Sequence, residues 1–200
     1  MNYNLDPGPE AFDEFHDYWN QLLLARRADE RPALGEGPVP LRQAFNPMKV
    51  RRQLPHVYIG EWISPDVVEV RLSGTALDAA VGHPLTGKNY LEYFPREDRP
   101  FYSAVFENII KRPCGLKMMR TLTLSSDRRH QLRSLSFPLA NKEGVPCYIV
   151  GMTNVVRDFH QGSLDGVEHP KSELHSINLI DIGAGVPQMP ASLMPQQQAV

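Results

Sequence analysis

The sequence predicts an α+β fold, a five-stranded antiparallel sheet with helices on one face, preceded by an N-terminal helix and followed by an extended C-terminal tail. Three observations predict it. Five segments have strand length and strand composition, two before a helical middle and three after it. The last of them, PCYIVGMTNVV at 146–156, is apolar at nearly every position, as strands covered on both faces are. The 18 prolines of the 200 residues fall mostly at 1–10, 31–55 and 170–195, outside that core.

The elements follow in order. Residues 11–27, AFDEFHDYWNQLLLARR, read as an amphipathic helix with Phe12, Phe15, Trp19, Leu22 and Leu23 on one stripe. Its acids come early and its bases late, which suits the helix dipole. A stripe with large aromatic anchors needs a cover: the domain itself, a second copy of the chain or a partner. It is therefore the candidate dimer or partner face. Residues 56–62 and 66–73 read as strands joined through Ser64-Pro65-Asp66. Thr75 and Asp78 resemble a capping box at the head of a short helix that stops at Gly82. After a loop over 83–99, Pro100 opens a longer helix that ends at Pro113. Residues 116–124, 130–139 and 146–156 then form a meander through the turns SSDRR and NKEG.

Composition divides the chain into a helix and linker at 1–36, a core domain at 37–157 and a tail at 158–200. The tail carries five acids against one base and ends in MPQQQAV, which reads as largely disordered. Within it SINLIDIGAGV, 176–186, is an apolar island that either adds a strand to a sheet edge, docks on a partner or stays disordered. The formal net charge of −2 gives no general attraction to nucleic acid. No run approaches the ~18 apolar residues of a membrane span, and MNYNLDPGPE does not read as a signal peptide. Two cysteines, Cys114 and Cys147, form no disulfide framework, so a cytoplasmic setting is expected. Arg42, Lys49, Arg51 and Arg52 form a basic run that reads as a solvated face.

The run Arg71…Gly74-Thr75, then Gly82, then Leu85-Thr86-Gly87-Lys88 resembles the R-x-x-G-T…G…L-T-G-[KR] pattern of a bacterial PAS-like family. Leu54-Pro55 resembles that family's approach to its first strand, and Pro95 with Asp98-Arg99 resembles a turn common in PAS domains. The resemblance covers roughly 40–156. It implies a sensory and protein-interaction fold, in a group whose members are often short and carry no output domain. Taken one by one, the motif residues read as structural: glycines at turns, Thr75 as a cap, and Arg71 pointing away from the core or pairing with a carboxylate.

Cofactor chemistry can be asked of the same residues. The photosensory flavin loop resembles G-x-N-C-R-F-L-Q. Here Gly87-Lys88-Asn89-Tyr90 puts a tyrosine where the adduct-forming cysteine stands, so that adduct is excluded at this loop. His83 is the histidine to test as a haem ligand, and no histidine or cysteine pair has zinc spacing. No cofactor is expected. Phe101, Phe106, Met118, Leu122, Leu135, Phe137 and Met152 are the candidate lining of a small apolar pocket, with plain core filling as the alternative.

These features predict a stand-alone PAS-like regulator of the bacterial cytoplasm. It would act by binding signalling proteins, as a homodimer, with no catalytic residue and no nucleic-acid or membrane partner. The alternatives are a sensor whose pocket ligand is the main input, and a small enzyme on a similar helix-on-sheet fold. The enzyme needs a buried Asp, Glu or His facing a pocket, and the apolar strand positions hold almost none.

Overall fold

The computed structural model describes residues 7–8, 10–29, 39–123, 128–160 and 171–188. Three α-helices and six strands run in the order α1 (Glu10–Asp29), β1 (Val57–Ser64), β2 (Val67–Ser73), α2 (Thr75–Val81), α3 (Arg99–Lys111), β3 (Gly115–Thr123), β4 (Arg128–Ala140), β5 (Pro146–His160) and β6 (Lys171–Ile180). The strands form one antiparallel sheet ordered β2-β1-β5-β4-β3-β6. The sequence predicts five strands; β6 is the addition. It pairs with β3 from Gly115↔Ile180 to Thr123↔Lys171. This part of the tail is therefore folded, because Leu174, Ile177 and Leu179 pack beside the α3 core. Residues 161–170 and 189–200 of the predicted disordered tail lie outside the described residues. No described helix is long and apolar enough to cross a membrane.

Side chains alternate across a strand, so one sheet serves two cores. On one face, Val57, Ile59, Leu135, Phe137, Leu139, Val150 and Met152 meet α1. On the other, Leu116, Met118 and Ile149 meet Phe101, Val105, Phe106 and Ile109 of α3. The unbroken apolar run of β5 follows from this double cover.

The α1 stripe is inside the molecule. Phe15 and Trp19 are fully buried, Phe12 and Leu23 are buried, and Leu22 packs against the same cluster. Phe12, Phe15, Trp19, Leu22 and Leu23 are therefore not a free dimer or partner face. Helical periodicity shows that a stripe needs a cover and not which surface supplies it; here the cover is the chain's own sheet.

The region around α2 shows why the small residues stand where they do. Gly74 has ordinary φ, −72°, but an added Cβ would lie 2.3 Å from the carbonyl oxygens of Leu54 and Pro55. Close approach, not positive φ, requires glycine there. Gly82 does need positive φ: at +90° its N–H reaches the Asp78 carbonyl and ends α2. Thr75 is not the cap. Gly74 holds the N-cap position without a side-chain bond, and the Asp78 carboxylate instead accepts the Leu85 N–H at 3.0 Å. The loop after Leu85 closes the outer edge of β2. The Val70 N–H donates to the Lys88 carbonyl, the Gly87 N–H to the Val70 carbonyl, and the Val68 N–H to Asn89 Oδ1.

Candidate functional site

A cavity of about 50 Å³ lies between α2, the segment around Tyr90 and the sheet. A single water needs ~10–15 Å³, so the space exceeds one water several times over. Its walls are chiefly aliphatic: Leu77, Ala80 and Val81 from α2, Val70 from β2, Leu85 from the loop, and Leu122, Leu132 and Val155 from the sheet. Tyr58, Ser73, Tyr90, Tyr93, Arg120, His130 and Thr153 add polar groups.

Local structure sets each of these. Tyr58 projects over Gly151, its register partner on β5, where an added Cβ would come within 2.5 Å of the ring. The Tyr58 and Ser136 hydroxyls are 2.7 Å apart, and Ser134 bonds Thr153 at 2.8 Å. Burial chiefly, then the neighbouring Tyr90, raises the Tyr58 pKa. Tyr58 therefore stays a neutral phenol, able to donate. Burial also raises Tyr93, helped by Glu92 and Asp78. His130 is buried, with Nε2 3.1 Å from the Ala80 carbonyl oxygen.

Arg120 is the most unusual residue of the site. It is only 2% exposed. Its guanidinium carbon stands 4.3 Å from the Phe94 ring centroid and 5.7 Å from that of Tyr90. Nη2 donates to the Tyr90 hydroxyl at 2.9 Å, and Nη1 to the Ser172 hydroxyl at 3.4 Å. Among the described residues no carboxylate forms an ion pair with it.

Of the seven predicted pocket residues, only Leu122 lines this cavity. Phe101, Phe106 and Met118 belong to the α3 core, one layer aside. Leu135, Phe137 and Met152 lie on the opposite face of the sheet, against α1. The seven are apolar positions from both faces, which one pocket cannot gather. Sequence reasoning missed Arg120, Tyr58 and His130. The missed signal was parity: Arg120 shares its face with Leu116, Met118 and Leu122, so its charge points into the fold.

The motif residues serve structure. Arg71 is exposed and bridges Glu61, at 2.5 Å, and Glu69. Gly74, Gly82 and Gly87 shape the chain around α2, and Leu85 reaches the cavity wall, whereas Thr75 and Thr86 are exposed. His83 is exposed, with Nδ1 3.0 Å from the Pro84 carbonyl oxygen and Nε2 3.3 Å from the Tyr93 hydroxyl. Among the described residues no three His, Cys, Asp or Glu come together as a metal site would need. In the basic run, Arg52 reaches Glu14 at 3.9 Å.

A family model described as a PAS domain matches residues 9–154, from the foot of α1 into β5. No curated protein matches the chain.

Proposed function

The chain belongs to the PAS-domain family, and from that membership we propose a sensory and regulatory protein that works by contact with signalling proteins. The family match carries this reading, because it spans α1, the α2–α3 region and most of the sheet. The cavity supports a sensing role: an apolar space with a few convergent polar groups is the usual form of a small-molecule site. The activity is regulatory rather than catalytic, and its setting is the bacterial cytoplasm. A homodimer would have to use a surface other than the α1 stripe, which light scattering tests.

The test is affinity capture from native cells, followed by reconstitution with each purified candidate. A signalling protein that binds the purified chain directly supports the reading. Capture of no partner, or only of metabolic enzymes acting on the chain as substrate or product carrier, overturns it.

A further inference from the structure

We propose that the cavity binds a small organic acid: one carboxylate, held by Arg120, on a compact apolar body. The proposal deepens the sensory reading and rests on it for biological sense, though binding itself is measured independently of any partner.

The charge is the first observation. Arg120 lines the cavity, is withdrawn from water and has no carboxylate partner among the described residues. Two hydroxyls and two ring faces hold it in place. They orient a cation but do not neutralise it, and a lone buried charge is costly. The second observation is independent. Arg120 Nε and the Ser73 hydroxyl are both buried, both without a hydrogen-bond partner, and both belong to residues lining the same cavity. Buried polar atoms are normally bonded. Here an unpartnered donor and an unpartnered hydroxyl belong to side chains that border a space able to supply an acceptor.

The chemistry of the walls narrows the class. A planar guanidinium fork matches a carboxylate. One cation balances a monoanion, whereas a phosphate ester carries about −1.5 to −2. Leu77, Val81, Leu122, Leu132 and Val155 then offer an apolar surface for the rest of the molecule. Tyr58, kept neutral by burial, supplies a further donor when the Ser136 hydroxyl donates to it.

The full-length chain is titrated with acetate and propionate, sized to the ~50 Å³ space, with acetamide, propionamide and inorganic phosphate as controls, followed by calorimetry and NMR. The carboxylates are expected to bind with Kd below ~1 mM, and the amides and phosphate at least about tenfold more weakly. Arg120→Gln should weaken propionate at least about tenfold, and Ala80→Phe, which fills the space and leaves Arg120 in place, should abolish its binding. Absence of carboxylate binding to the natural chain overturns the proposal, as does equal binding of amide or phosphate. These comparisons hold even where a variant fails to fold. Unchanged affinity in either folded variant also overturns it. Carboxylate binding with no signalling partner leaves the site standing and removes the sensory reading alone.

Discussion

Trp19 stacks on Phe137, with ring centroids 4.4 Å apart and planes 15° from parallel. Its indole N–H also donates to the Pro138 carbonyl at 3.3 Å. One side chain thus fixes α1 to β4 by both packing and a directed bond. Trp19→Ala should lower unfolding free energy in urea by ~3–5 kcal/mol, the range for a large buried aromatic. The mass in light scattering should not change. A mass that halves on substitution would return the α1 stripe to an interface between copies.

The three residues around α2 should separate by mechanism. Gly74→Ala drives a methyl into two backbone carbonyls and should cost at least about 2 kcal/mol. Gly82→Ala meets the left-handed penalty, ~1–2 kcal/mol. Thr75→Ala should fall within ~0.5 kcal/mol, because the exposed Thr75 makes no cap bond. Equal losses at Gly74 and Thr75 in thermal melts would contradict the close-approach explanation.

The cysteines should react in a fixed order. Cys114 is fully buried, and burial pushes its thiol up to about 11. Cys147 is only half-buried; its thiol is raised too, first by burial and then by Glu61. Iodoacetamide with mass spectrometry should modify Cys147 slowly in the folded chain and Cys114 only on unfolding. Early labelling of Cys114 would show that the α3 core opens locally.

Asp98 gives a pH signature of unusual sign. Burial chiefly, then Glu97, raises its carboxyl above the ordinary range. The folded form therefore holds this proton to higher pH than the unfolded form does. Between the two values the unfolded state binds fewer protons, so stability falls as pH rises. Asp98→Asn should remove that slope and be neutral or stabilising at pH 7. Chemical denaturation from pH 3 to pH 7 measures it, and a slope unchanged in the variant would refute the assignment.

The strands and α3 were legible because their signals are local: apolar runs, Pro100, Gly82 and the NKEG turn between β4 and β5, whereas the SSDRR turn lies largely outside the described residues. The cover of α1 was not, since Phe15 and Trp19 carry no mark of what they touch. The cavity was hidden for a related reason. Its walls come from α2, the Tyr90 segment and five strands, brought together only by register and by irregularities such as the shift between Gln131 and Leu132. Arg120 was readable in part, as a charge at an inward parity, but Phe94, Tyr90 and Ser172 around it come from distant segments. The apolar island of the tail was half legible. Its composition pointed to a docked strand, while the choice of β3 as neighbour depends on which edge the meander leaves unpaired.

The two sides of the sheet's outline are not equivalent. Outward groups of Val68 and Val70 on β2 are already bonded to the 87–89 segment, whereas β6 has no strand on its far side among the described residues. Among the described residues, β6 is the edge that offers itself for lateral joining of two copies, β6 against β6. Such a union uses the same surface twice, has twofold symmetry and closes on itself. Head-to-tail addition, the route by which sheets extend into fibres, is opposed at β2 by the bonds that Val68 and Val70 already make.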